Sequence, residues 1–267
     1  MHRRLLSIVL LLLAGGLSQA AEKPEPSSGE VEKIIAAFAD KESAFAKARE
    51  NYTYRQTAKL QEFEEGGTPG GRYEIASDIV FTNEGKRTEH VIKAPPNTLR
   101  LIQMSPADEQ DLRNVLPFVL TSKDIANYHV RYLGRQNADE IPCYVFAVKP
   151  KSMDQGKRYF TGEIWVDEQD LMIVKSYGRA TGILKKGSDE QFPKFETYRE
   201  QIDGKYWFPT YTIANSTLHF KDSSPRVKQS VKYEDYKQFR SDTKITFGDQ
   251  VDQNTNPKNP PKEPKKP

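Results

Sequence analysis

The side chains best equipped for chemistry in this sequence are few and scattered. Four histidines occur in 267 residues. His2 stands near the N-terminus, and His90, His129 and His219 each lie inside a stretch of alternating polar and apolar residues. None is at metal-ligand spacing from another histidine, a cysteine or a carboxylate pair, so the pattern offers no zinc or iron site. The one cysteine, Cys143, belongs to the apolar run IPCYVFAV, where it reads as a small buried hydrophobe and not as a nucleophile. No GxSxG elbow accompanies it. Carboxylate pairs exist, Asp167 with Asp170 and Asp108 with Asp111, but the first falls in a polar loop and the second in a helix N-terminal turn. Both positions have structural explanations that need no acid-base chemistry. The doubled glycines Gly66, Gly67, Gly70 and Gly71 lack the following Lys-Ser or Lys-Thr of a phosphate cradle and read as a hairpin tip. The expectation is therefore no catalytic residues, no metal, no cofactor and no enzyme.

What remains is a heavy apolar and aromatic load on segments that alternate with a period of two. Tyr54, Phe81, Phe146, Trp165, Trp207 and Phe208 are examples. Such residues either fill a closed core or line an apolar cavity left by a curved sheet, and a cavity of that kind takes acyl chains with little need for polar groups.

The elements that position them follow from periodicity. Tyr159 to Gly178, YFTGEIWVDEQDLMIVKSYG, reads as two strands joined by the loop Asp167 to Asp170. Pairing Val166 with Leu171 sets Ile164 opposite Ile173, so Ile164, Val166, Leu171 and Ile173 share one face, and Glu163, Trp165, Met172, Val174 and Ser176 the other. Apolar groups on both faces suit either a central strand pair buried twice or a sheet that packs on one side and offers a surface on the other. Ser27 and Glu30 have capping-box spacing, and the stripe Val31, Ile34, Ile35, Phe38 and Phe45 predicts an amphipathic helix from Gly29 to Glu50. Alternating strands follow in YTYRQTAKLQEF, RYEIASDIVF and KRTEHVIKA, the last two about the turn TNEG. LRLIQM reads as a short strand and ADEQDLRNVL as a helix that Pro117 ends. The apolar turn FVL beyond it, including Phe118, suits either a lid or a core plug. Hairpins about Asn137 to Glu140 and about Asp203 and Gly204, then RVKQSVKYEDYKQF, bring the total to about ten strands in up-and-down order.

The N-terminus, MHRRLLSIVLLLLAGGLSQA, has Arg3 and Arg4 before the apolar run Leu5 to Ala14, and Ser18 and Ala20 before a cleavage point. It reads as a secretory signal peptide over 1–20, with a leader at 21–28. No cysteine follows the run, so a lipid anchor is not expected. A lone cysteine also forms no internal disulfide, and no disulfide-linked partner is expected. Forty basic residues against 37 acidic ones, with Arg3 and Arg4 leaving with the signal, set up no field that selects nucleic acid. One domain over 29–248 is expected, then a disordered Pro- and Lys-rich tail over 249–267.

GEIWVDEQDLMIVKSYG followed by FETYREQIDGKYWFPTYTIA resembles the outer-membrane lipoprotein-sorting carriers of the LolA/LolB type. In that superfamily a hairpin is followed by an Asp-Gly turn into a Trp-containing, Pro-ending strand. The likeness runs from about Val31 to Phe239. It implies a mainly β fold with α, an incomplete, strongly curved antiparallel β-barrel whose open side is covered by helices. It also implies a periplasmic, non-enzymatic carrier for acyl chains of lipoproteins or lipids, with Phe38, Phe118, Ile164, Val166, Leu171 and Ile173 as candidate cavity lining. Together with the amphipathic helix and the Pro-broken apolar turn, the resemblance places the Ile164, Val166, Leu171 and Ile173 face inward, toward helix and cavity, and Trp165 and Met172 on the outer face or at a rim. Some carriers hold the lid with a strand arginine, for which Arg55 is the nearest candidate, an exposed strand arginine being the alternative. The long loop Glu64 to Gly71, the segment SPADEQDLRNVLPFVLTSKD and the basic tail depart from the pattern. Related folds act as periplasmic stress sensors that bind a signalling protein, so an envelope membrane protein is the alternative partner.

Overall fold

A computed structural model describes residues 24–239 apart from 83, 107, 110, 112–115, 185, 187–190 and 222. The expected signal peptide over 1–20 and the tail over 249–267 lie outside the described residues, as does most of the segment read as the second helix.

Ser27 starts the chain's long helix, α1 (Ser28–Ala48). The Ser27 N–H donates to Glu30 Oε2 at 2.8 Å and its hydroxyl to the same oxygen at 2.7 Å, so the capping box forms as its spacing predicts. The Glu30 carboxyl is held below its usual range by these bonds. Ten strands follow: β1 (Tyr52–Phe63), β2 (Pro69–Phe81), β3 (Arg87–Lys93), β4 (Tyr128–Ala138), β5 (Ile141–Pro150), β6 (Tyr159–Asp167), β7 (Ile173–Thr181), β8 (Phe195–Ile202), β9 (Tyr206–Thr217) and β10 (Arg226–Gln238). They make one antiparallel sheet in the order β3-β2-β1-β10-β9-β8-β7-β6-β5-β4. Every sheet neighbour is also a chain neighbour except β1 and β10, which pair first strand to last. The open edges are β3 and β4, consecutive in the chain yet unpaired. Residues 94–127 join them, so this segment and α1 are what lies over the open side of a curved, half-open barrel.

The inward face packs against α1. Phe38 touches Phe146 at 5.3 Å between ring centroids, and Ile164, Val166, Ile173 and Val231 complete the cluster with no exposed surface. The β6–β7 face is thus turned inward as expected, but its register differs. Val166 faces Ile173, and Ile164 faces Ser176 across a bulge between Trp165 and Val166. The cause is the turn. The Asp167 N–H donates to the Met172 carbonyl and the Leu171 N–H to the Asp167 carbonyl, each at 3.0 Å. Leu171 adopts φ of 52°, the left-handed conformation such a turn requires, and so belongs to the turn and not to the returning strand. Met172 follows it inward, 3% exposed, against Phe45, Tyr52 and Phe208. It is therefore not on the outer face or rim. Trp165 does point the other way, where Cys143, Val145, Val174 and Trp207 cover it.

LRLIQM is not a strand. Glu62 of β1 is wholly buried, and its Oε1 accepts hydrogen bonds from the backbone N–H groups of Arg100 (2.9 Å), Leu101 (2.8 Å) and Ile102 (2.9 Å). A carboxylate that takes three successive N–H groups leaves none for a ladder. Residues 97–106 therefore cross the sheet as a strap. Its start lies over Gly71, where a Cβ would come within 2.0 Å of the Thr98 carbonyl oxygen. Gly71 thus serves close backbone approach inside β2, whereas Gly66 and Gly67, with φ of 85° and 86°, make the hairpin tip.

Candidate functional site

Three inward positions on the sheet carry alanine where neighbouring inward positions carry large side chains: Ala58 on β1, Ala180 on β7 and Ala214 on β9. Small residues beneath a strap leave space, and a cavity of about 710 Å³ opens there. Ligand cavities typically span about 300–1,000 Å³. Its floor is those alanines with Leu60, Phe195 and Val227, and its roof is Leu101, Ile102, Met104 and Leu116 from the strap and its continuation. Phe192 and Leu218 close one wall. Asp108, Asp111 and Arg158 supply polar groups, with Arg158 Nε 3.8 Å from Asp111 Oδ2 and the Arg158 guanidinium 4.6 Å from the Phe192 ring centre. At the mouth, Leu101 and Ile183 are each 42% exposed. A smaller cavity of about 500 Å³ lies beyond the Leu116–Phe118 turn, lined by Phe118, Tyr54, Arg49 and others.

The candidate lining residues are only partly brought to these spaces. Phe118 lines the smaller cavity and stacks on Phe160 at 4.3 Å. Phe38, Ile164, Val166 and Ile173 sit in the packed core beneath α1, fully buried, and border neither cavity; Leu171 packs at the edge of that core. The space directly under the helix is filled by phenylalanine and branched side chains, and the room lies to one side of it, under the strap.

Arg55 points away from the core. Its Nε donates to Asp78 Oδ1 on β2 at 2.9 Å with 42% of the side chain exposed, which makes it a surface strand arginine. The arginine that ties covering segments to the sheet is Arg199 on β8. Its Nη1 donates to Glu42 of α1 at 3.0 and 3.2 Å, and its Nη2 donates to the Phe118 carbonyl. Glu42 Oε1 also accepts the Ile173 N–H at 3.1 Å. Burial pushes the Glu42 carboxyl upward against the pull of Arg199. One buried ion pair thus joins α1, the apolar turn after Pro117 and the β6–β7 hairpin. Thr197, two residues earlier on the same face, donates its hydroxyl to the Leu116 carbonyl at 2.8 Å. Sequence reasoning missed this pair, although signals were present. Glu42 falls on the Phe38–Phe45 stripe, and Phe195, Thr197 and Arg199 alternate inward.

Burial lifts the Cys143 thiol to about 11, the behaviour of an unreactive core cysteine. Among the described residues no group of three or more His, Cys, Asp and Glu side chains could hold a metal ion. No helix among them is long and apolar enough to cross a membrane.

No family model matches the chain, and no curated protein matches it. Solved structures similar to it include a LolA superfamily protein from Nitrosomonas europaea, 14% identical over 78% of this chain and 93% of that one, with a TM-score of 0.32. An outer membrane lipoprotein-sorting protein domain from Vibrio parahaemolyticus is 12% identical over 78% and 95%, with a TM-score of 0.36. The Pseudomonas aeruginosa MucA/MucB complex is 14% identical over 74% and 94%, with a TM-score of 0.24.

Proposed function

We propose that this protein is a periplasmic, non-enzymatic carrier that shelters an acyl chain of a lipoprotein or lipid beneath the strap. The observation that carries the reading is the 710 Å³ cavity with an alanine floor and an aliphatic roof. Such a lining pairs with methylene groups, at about 0.8 kcal/mol for each one withdrawn from water, and asks nothing of a ligand's polar groups. Asp108, Asp111 and Arg158 also line it and give a head group polar partners.

Native mass spectrometry of protein purified from its own cell envelope tests this. The wild-type protein is expected to carry lipid-sized adducts, and Ala214→Phe, which fills the floor, to lose them while remaining folded. Wild-type protein that never carries lipid would overturn the reading.

A second reading, a protein-interaction or stress-sensing module of the envelope, draws on the exposed apolar residues beside the mouth: Leu101, Met153, Ile183 and Leu184. It predicts that pull-down of an envelope protein depends on these residues or on 250–267. Lipid copurification unaffected by either change, with no protein captured, removes it.

A further inference from the structure

The smaller cavity is built from different material. Apart from Arg158 its lining shares no residue with the acyl cavity. Its walls are largely aromatic, with Tyr54, Phe81, Phe118 and Tyr128 among them, and besides Arg158 two further guanidinium groups, Arg49 and Arg87, line it. Arg87 is partly committed. Its Nη1 donates to Glu89 Oε2 at 3.1 Å and its Nη2 to Gln56 Oε1 at 3.0 Å, while its Nε is shut off from water without a partner.

Arg49 is different. It caps the C-terminus of α1, its Nε is likewise shielded and unpaired, and the side chain forms no hydrogen bond or ion pair among the described residues. The carboxylates nearby, Glu42 and Glu50, attract Arg49 through space without forming an ion pair with it among the described residues. Both Glu42 oxygens are taken by Arg199. Glu50 reaches toward Gly85, where a Cβ would lie 2.8 Å from its Oε2. Asp124, the acid that lines the cavity, accepts the Thr121 hydroxyl at 2.6 Å. Burial presses the Arg49 pKa down, yet a guanidinium keeps its proton in proteins. The chain therefore sets a permanent positive charge on a largely aromatic cavity, with Glu42 and Glu50 close enough to attract it but no ion pair to either among the described residues. Buried charges are stable when paired, and a planar guanidinium fork matches carboxylate or phosphate oxygens. The Tyr54 hydroxyl, also without a hydrogen-bond partner among the described residues, lines the same space as a neutral donor.

We propose that this cavity is a binding site for an organic anion, a phosphate or carboxylate held by Arg49 with the Arg87 Nε, whose apolar body packs among Tyr54, Phe81 and Phe118. The aromatic walls argue against bare inorganic phosphate, and the unpaired guanidinium against a neutral ligand. This goes beyond the acyl-carrier reading and stands or falls separately from it.

Calorimetric titration of the full chain with phenyl phosphate, phenol and inorganic phosphate tests the site. Phenyl phosphate is expected to bind at least tenfold more tightly than the other two. Arg49→Met is expected to lose at least tenfold in that affinity, with Arg49→Lys in between. Ala214→Phe, in the other cavity, is expected to bind phenyl phosphate as wild type does. Short-chain phosphatidic acid, dihexanoyl, distinguishes the source: tighter than phenyl phosphate assigns the site to a lipid head group, weaker assigns it to a free small anion. Without added anion, Arg49→Met is expected to melt close to wild type, because the guanidinium it removes makes no ion pair among the described residues. Phenol binding as tightly as phenyl phosphate overturns the proposal, as does a wild-type protein that binds neither anion. So does an Arg49→Met variant with unchanged affinity, which would make Arg49 a structural residue.

Discussion

Arg199 and Glu42 stand 157 residues apart in the chain and meet at 3.0 Å in the core, where neither has more than 2% of its side chain exposed. A pair of this kind is costly to break from one side, since removing a partner strands the other charge out of water. Glu42→Leu is expected to lower the unfolding free energy by about 3–5 kcal/mol, read from urea denaturation. The double variant Glu42→Leu with Arg199→Met is expected to regain most of that loss, because two apolar side chains of similar size need no charge compensation. Arg55 makes the contrast. Its bond to Asp78 lies on the wetted outer face of β1, where such pairs contribute about 0–1 kcal/mol. Composition cannot separate these two arginines, each embedded in an alternating strand. The inward phase of Phe195, Thr197 and Arg199 was legible, and so was the place of Glu42 on the helix stripe. That the two phases meet was not, because the contact is made across the fold.

The strap is the element whose conformation the local pattern misjudged. Leu-Arg-Leu-Ile-Gln-Met has the apolar pattern of a short strand, and an edge strand is what those residues would form if their N–H groups were free. Glu62 claims three of them instead. Hydrogen bonds to a charged acceptor are worth about 1.5–3 kcal/mol each, so Glu62→Leu is expected to destabilise the fold by about 3 kcal/mol or more in urea. It should also speed amide exchange at Arg100, Leu101 and Ile102. Glu62→Gln keeps an oxygen in the place of Oε1 and is expected to fall between. By comparison α1 was legible almost to the residue, since its capping box, stripe and length are all set within a few turns. The β6–β7 pairing was readable as a hairpin and misread in register, because one residue at positive φ, Leu171, decides which strand position comes next.

At the scale of the whole molecule, the sheet is a meander closed by β1 on β10 and left open between β3 and β4. The chain that spans this gap roofs the larger cavity. Amide exchange is therefore expected to be slowest in β1, β10 and β5 to β7, which flank the core, and faster in β3, β4 and the strap. An acyl ligand is expected to slow exchange selectively at residues 101–106 and 191–193, which mass spectrometry of peptides can read. Uniform slowing over the whole chain would place the ligand elsewhere. By itself the sequence determined α1, the period-two strands, their approximate number and the sharing of one face by Ile164, Val166 and Ile173. Each of these depends on side chains a few positions apart. Only the tertiary structure decided that the space beneath α1 is solid and that room remains where Ala58, Ala180 and Ala214 share a face. It also decided that Arg199, and not Arg55, ties down the covering segments. Those outcomes depend on which distant residues face one another across the sheet, and strand order and register, which settle that, are set by the packing of the whole chain at once.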